Sequence, residues 1–457
     1  MKFGRKALIW LMVLIMSVSL IACSGGSDKK STETQTDQSQ SDNSTAANNE
    51  KTSQDATPQS PVEIIWAMQG AANELEGWQA MTDAANAKLK DKNITIKIQK
   101  INTSSWDEYY QKITAQIAGG NIPDIGRIAE SLMPQVISKN QVVELTPYIN
   151  EIDMSEFFEE TFNNAGKQDG KIYGLPSGVY QFLLYYNKDM FDEKGIPYPS
   201  SDWNNPITFE QLVEYAKLFT EGEGANKKFG YYGNADIFAI GPIAGEHIYK
   251  ADGTYQITDA HKKVFDLFNT MLTVDHSMPT PVDTKIMGGM DMFRAGRVAM
   301  CNEGTWWQQT VREITDFRVG IAATPVIQGK AKSAGFIDNF VMWKGGKHEK
   351  ESWEALKAIF SEEGFNALAK TGTGGVPVNR KTLDSLQDEL IGSIFDETDK
   401  QSFIQALDHI MAMPYNTNYN EVSQKAGSIL ESWMVGKKTT ADTINELETY
   451  LGEVTKK

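Results

Sequence analysis

Three observations predict an α/β fold of two lobes. Strand-like and helix-like segments alternate from residue 63 onward. Apolar residues make up 40% of the chain, with 10% aromatic, which suffices for packed cores. At 457 residues the chain exceeds what one ordinary core supports, so two lobes of about 150–250 residues each are expected.

The elements follow in order. Glu63–Met68 is a short apolar strand, and Glu74–Lys90 has helical spacing. Ile94–Ile98 alternates with period two, as a half-buried strand does. Tyr109–Ala118 is helical in pattern, and Asn121-Ile122-Pro123-Asp124-Ile125 leads into a third strand. Strand, helix, strand, helix, strand predicts a layer with parallel pairing. Gln181–Asn187 is an aromatic and leucine-rich strand. Thr208–Thr220 is a helix with Thr208 as N-cap and Gln211 placed to complete a capping box. Phe229–Tyr232 and Arg297–Cys301 are short strands, and His261–Thr273 is helical. Glu351–Phe360 and Asn420–Met434 carry amphipathic helical spacing.

Composition excludes several classes. With 44 basic and 60 acidic side chains the net charge is −16. A phosphate backbone would repel such a chain, so no nucleic-acid partner is expected. Two cysteines, Cys23 and Cys301, make neither a disulfide framework nor a zinc cluster. The five histidines include no His-x-x-x-His pair, and no metal or cofactor is expected. Cys301 reads as a small buried hydrophobe. Met287, Met290 and Met292 have no histidine among their neighbours and read as packing residues, not copper ligands.

The first sixty residues are an address. Lys2, Arg5 and Lys6 precede an apolar run, Ala7–Ala22, which is the charged and apolar pattern of a secretory signal. Leu20-Ile21-Ala22-Cys23 resembles a bacterial lipobox. The resemblance implies cleavage before Cys23 and lipidation of that cysteine. The acyl chains would hold the protein on the extracytoplasmic face of the cell membrane, each buried methylene contributing about 0.8 kcal/mol. The alternative is an uncleaved anchor helix. Ser24–Ser60 contains no large apolar residue. It cannot offset its ordering entropy and is expected to be a disordered polar tether ending near Pro58 and Pro61.

Four motifs in order resemble bacterial extracellular solute-binding proteins of the carbohydrate-transport type, the maltose-binding-protein-like group. They are Ile117-Ala118-Gly119-Gly120-Asn121-Ile122-Pro123-Asp124-Ile125; Asp169-Gly170-Lys171-Ile172-Tyr173-Gly174-Leu175-Pro176 with Leu184-Tyr185-Tyr186-Asn187-Lys188-Asp189-Met190-Phe191; Met292–Met300 with Glu303-Gly304-Thr305-Trp306-Trp307; and Gly372-Thr373-Gly374-Gly375-Val376-Pro377. The likeness runs from about Pro61 to the C-terminus. It implies a periplasmic-binding-protein-like (type II) clamshell, with crossover hinge strands and the ligand between two discontinuous lobes. The implied segments are a leader (1–22), the lipidated cysteine and tether (23–60), a first lobe (61–180 and 328–390) and a second lobe (181–327 and 391–457). The crossings are expected near Ser177–Leu183, Thr324–Lys330 and between Arg380 and Met411.

A sugar presents hydroxyls around apolar ring faces. A site for it needs aromatic side chains for the faces and planar polar groups for the hydroxyls. Trp306, by motif match, is where the family often stacks a sugar, and Trp307 adjoins it. Gln69, Gly70, Asn73 and Glu74 follow the first strand, where α/β folds place ligands. Glu74 reads equally as a first-turn helix acid. Arg127, Glu130 and Ser131 follow the Pro-Asp-Ile turn, where Ile128 departs from the polar or aromatic residue usual in the family. Asp124 reads as a structural turn acid. Tyr180 lies near the first crossing, and Asn234 and Asp236 fall where second-lobe contacts usually lie. Asp338, beside Asn339, is a buried acid in need of a partner. Tyr415 and Asn418 lie in a loop before a late helix.

The expected function is extracellular capture of a sugar or oligosaccharide and its delivery to the permease subunits of an ABC importer. The protein would act as a lipid-anchored monomer and not as an enzyme. Two alternatives stay open. One is a surface glycosidase using two facing carboxylates. The other is the same clamshell presenting a polyamine, peptide or other solute to a transporter or sensor. No nucleophile elbow, P-loop or HExxH motif is present.

Overall fold

A computed structural model describes residues 60–69, 75–103, 105–157, 166–373 and 375–455. The leader, Cys23, the tether, and Gly70, Asn73 and Glu74 lie outside the described residues. No described helix is long and apolar enough to cross a membrane.

β1 (Val62–Gln69), β2 (Ile94–Ile101) and β3 (Ile125–Ile128) pair in parallel in the order β2-β1-β3. Helices Leu75–Leu89 and Trp106–Ala118 make the crossovers. Ser105 caps the second of these, accepting a hydrogen bond from the Glu108 amide. Asp124 is the turn acid its position suggests: its carboxylate accepts from the Ile65 amide at 2.8 Å and so pins the entry to β3. β4 (Lys167–Gln168) and β5 (Lys171–Ile172) form a separate small hairpin.

The remaining strands are β6 (Leu175–Asn187), β7 (Phe229–Gly233), β8 (Val298–Gly304), β9 (Val319–Ala322), β10 (Ser333–Met342) and β11 (Ile410–Ala412). The sheet runs β2-β1-β3-β10-β6-β8-β7, with β9 also beside β6 and β11 beside β10. The parallel pairing expected from the alternation holds for β1–β3, for β7 with β8 and for β10 with β11. The centre is antiparallel, because β6 is one strand of 13 residues serving two neighbourhoods. Its first half pairs with β10 and its second half with β8 and β9.

Apolar side chains pack on both sides of this sheet. Trp66, Trp78 and Phe340 meet edge to face with ring centroids 5.6–6.2 Å apart, an arrangement favoured by the ring quadrupoles. Met290, Met292 and Cys301 are buried in the same continuous cluster, as packing residues. A second cluster gathers Phe209, Phe219, Phe265, Phe268 and Trp433 around β7 and the late helices. Helix Phe209–Phe219 starts at Thr208, whose hydroxyl accepts from the Gln211 amide at 3.1 Å. The expected capping box is only half formed, since the Gln211 side chain turns to the Tyr215 hydroxyl.

This helix lies directly on β7. A Cβ placed on Gly230 would fall 1.9 Å from the Ala216 carbonyl oxygen, backbone against backbone. No rotamer change relieves that contact. Gly230→Ala is therefore expected to cost at least about 3 kcal/mol of folding stability, measured as a lowered urea midpoint at unchanged slope.

Candidate functional site

A cavity of about 550 Å³ opens where β1 and β3 end, beside β6, β10 and the turn after β8. Openings at the carboxyl ends of parallel strands are where α/β sheets take ligands. Seven aromatic side chains line it: Trp106, Tyr180, Trp306, Trp307, Phe336, Tyr415 and Tyr419. Its polar wall is Gln69, Ser105, Arg127, Glu130, Ser131 and Asp338.

Arg127 organises the polar wall. Side chains alternate along a strand, so in β3 Ile128 points into the core with Tyr109 and Tyr110 while Arg127 takes the cavity side. The Arg127 guanidinium donates to the Asp338 carboxylate at 2.6 Å and to the Tyr180 hydroxyl at 2.6 Å. It also lies over the rings of Trp78 at 4.6 Å and Trp106 at 5.2 Å, where the ring quadrupole favours a cation. The β10–β6 register shifts beside this pair, with Asp338 facing Gly178 and Asn339 facing Pro176. The buried acid thus finds its partner inside the protein.

Glu130 is the second acid in the wall. One carboxylate oxygen accepts from the Ile337 amide at 2.9 Å. Burial pushes its pKa well above the ordinary carboxylate range; the Ile337 hydrogen bond opposes the rise and the neighbouring Asp338 charge adds to it. Arg127 and Asp338 offset each other's charge within this wall, and Glu130 is a further buried acid beside them.

The aromatic wall is held from behind. Gly304 ends β8, and a Cβ there would fall 2.3 Å from the Trp306 ring, so the glycine is what lets the indole lie back on its own strand. Phe182 and Phe336 brace the indole edge to face, at 5.3 and 5.7 Å. Gly375, at φ +72°, brings the backbone against Tyr180: a Cβ there would meet the Tyr180 ring at 2.9 Å.

Of the residues singled out from sequence, Gln69, Arg127, Glu130, Ser131, Tyr180, Trp306, Trp307, Asp338 and Tyr415 converge on this cavity. Asn234 and Asp236 do not. They line a separate hollow of about 190 Å³ with Tyr232, Met278 and Met434. Asp236 caps helix Ile237–Ala244, its carboxylate accepting from the Phe238 and Ala239 amides at 2.8 and 2.7 Å. Both bonds go to one oxygen, Oδ1, and tie the carboxylate to the helix terminus, the usual role of an Asp at that place. Asn418 precedes helix Tyr419–Met434 and is not among the residues lining the cavity. Five lining residues were missed: Ser105, Trp106, Ala129, Phe336 and Tyr419. Phe336 is readable once Asp338 is, since residues two apart in a strand share a face. Tyr419 opens the helix four residues after Tyr415, and their rings meet at 4.5 Å. Ser105 and Trp106 sit at a helix start that a cap explains fully, so nothing local points to a cavity.

The family model for bacterial extracellular solute-binding proteins matches residues 80–390, and the chain belongs to that family. A Brucella abortus protein named as a binding protein is 25% identical over 340 residues, covering 73% of this chain and 79% of the relative. The diacetylchitobiose binding protein DasA of Streptomyces coelicolor is 24% identical over 398 residues, covering 83% of each chain. Among solved structures, an ABC substrate-binding protein from Listeria monocytogenes in complex with cycloalternan superposes with a TM-score of 0.73 at 20% identity, over 86% of this chain and 98% of that one. The fold is the type II periplasmic-binding-protein clamshell expected from the motifs.

Proposed function

We propose that the protein captures a neutral saccharide in the cavity around Arg127 and Trp306 and delivers it to an ABC importer. The observation that carries this reading is the pairing of a polar wall, in which Arg127 and Asp338 form an ion pair, with a wall of aromatic faces in one cavity of about 550 Å³. Aromatic faces suit sugar rings, and the polar wall supplies partners for hydroxyls stripped of water. The ligands named for two similar proteins, diacetylchitobiose for one and cycloalternan for the other, support a carbohydrate. The ligand-contacting set proposed is Gln69, Arg127, Glu130, Tyr180, Trp306, Trp307, Asp338 and Tyr415, with Trp106, Phe336 and Tyr419 added. In this reading residues 61–180 with 328–390 and 181–327 with 391–457 are the two lobes. A ligand touching both gains contacts on closure and shifts the population toward the closed form. A differential of about 5.5 kcal/mol moves closure from about 1% to about 99%. Cys23 carries the lipid that keeps the monomer at the membrane, and the bound sugar is released unaltered.

The test is a thermal-shift screen against mono- and oligosaccharides, polyamines and sugar phosphates. A ligand at 100 times its Kd adds about 2.7 kcal/mol of stability. One saccharide series should shift the transition, with no product detected by chromatography. Trp306→Ala removes a braced aromatic face and is expected to weaken that saccharide about thirtyfold or more. A shift with polyamines alone would overturn the ligand class. Hydrolysis of a bound oligosaccharide would favour the glycosidase reading, for which Glu130 and Asp338 are the two acids.

A further inference from the structure

Glu130 stands between two hollows. It lines the main cavity and also an adjoining one of about 330 Å³, and Tyr415 is shared in the same way. The groups around it can be taken element by element. β10 brings Asp338 and the Ile337 amide, and β3 brings Arg127. The loop before helix Tyr419–Met434 brings Tyr415, and the helix itself brings Tyr419, both near enough to feel a Glu130 charge. Helix Met133–Ser138, which follows Glu130 directly, has no titratable side chain. Lys167 also lines the adjoining hollow and is exposed. Arg127, the buried cation of the wall, holds Asp338 at 2.6 Å with side chains 3% and 10% exposed. Among the described residues of this wall, two acids stand with one cation, and that cation is ion-paired with Asp338. Like charges so placed do not both ionise readily.

We propose that Glu130 meets the ligand as a neutral carboxylic acid: its one oxygen stays on the Ile337 amide, and its hydroxyl donates to a ligand oxygen. The proposal rests on the saccharide reading above and refines it. Ionised, Glu130 could only accept from the ligand. Neutral, it supplies a donor that suits an acceptor-only oxygen, such as an acetamido carbonyl or a glycosidic oxygen. Burial at this place raises the acid's pKa, in keeping with that state. Affinity then becomes linked to the proton: where Glu130 ionises, binding weakens as pH rises, approaching about tenfold per unit.

The experiment has two arms, both on the full chain. The first is ligand-free. Infrared difference spectra of wild type against Glu130→Gln follow the carboxylic-acid C=O band across pH 5 to 9. The expected result is an acid band at pH 7 that the variant lacks; no such band overturns the proposal whatever the ligand is. The second arm is calorimetry with N,N′-diacetylchitobiose and with maltotriose over the same pH range. Wild-type affinity should follow the acid band, falling where the band fades and flat where it persists. Glu130→Gln, which keeps an N–H donor, should bind independently of pH, and Glu130→Ala should bind about tenfold or more weakly at pH 6. Wild-type binding that strengthens as the band fades would overturn the donor role. If neither sugar binds, the saccharide reading is in question, while the infrared arm still decides the state of Glu130.

Discussion

Asp338→Ala is expected to destabilise the protein by about 3–5 kcal/mol and to abolish ligand binding. The energy comes from what is left behind. Arg127 and Asp338 are an ion pair at 2.6 Å with both side chains nearly closed to solvent. A buried pair adds little net stability over an apolar pair of the same shape, but removing one member strands the other charge away from water, with a penalty of that size. Trp78 and Trp106 would soften the loss by holding the guanidinium over their faces, each such contact being worth about 0.5–2 kcal/mol. Tyr180 keeps its hydrogen bond. Urea denaturation of the single variant and of Asp338→Ala with Arg127→Met measures the effect. The double variant should regain most of the lost stability while remaining unable to bind. Equal instability of both would show that shape, not the stranded charge, dominates.

Glu303→Gln should do the opposite and stabilise the protein at neutral and alkaline pH. Glu303 is buried in β8, beside Cys301 and close enough to Tyr185, Tyr231 and Tyr232 for its charge to be felt. One of its oxygens accepts from the Gly304 amide at 3.1 Å. Burial lifts its pKa from 4.5 to about 7, and that hydrogen bond opposes the rise. Between those two values the native state holds a proton that the unfolded chain has released. Stability therefore falls as pH rises through this window, the reverse of a salt-bridged acid. At about 1.4 kcal/mol per pH unit, the loss above pH 7 is on the order of 3 kcal/mol. Glutamine can still accept from Gly304 but cannot ionise. The two proteins should match near pH 4.5 and diverge to about 3 kcal/mol by pH 8, read from denaturation midpoints across that range. Parallel pH profiles for the two would place the ionisation elsewhere.

Much of the fold was legible because it is written locally. The short period of Ile94–Ile98 became β2, the Pro-Asp-Ile turn became the entry to β3, and Thr208 became a helix cap. Antiparallel pairing at the centre of the sheet was not legible. It depends on where β6 and β10 return in space, and neither strand carries that information in its own residues. Asn234 and Asp236 show the same limit from the other side. An Asp before a helix and an Asp in a binding cleft look alike in sequence, and only the structure shows Asp236 accepting from the Phe238 and Ala239 amides.

By itself the sequence determined the alternation of strands and helices, the clamshell through its four motifs, and most of the side chains that meet at the cavity. The alternation follows from periodicity, caps and turn chemistry, which act over a few residues; the clamshell and the cleft position of these side chains are what the resemblance of the motifs implied. Only the tertiary structure decided that Asp338 pairs with Arg127 across 211 positions, that Trp106 and Tyr419 join the aromatic wall, and that Glu130 and Glu303 are buried acids with raised pKa values. Burial, charge pairing and cavity shape are properties of residues distant in the chain and close in space. They arise only when the two parts of the sheet are brought together around β6.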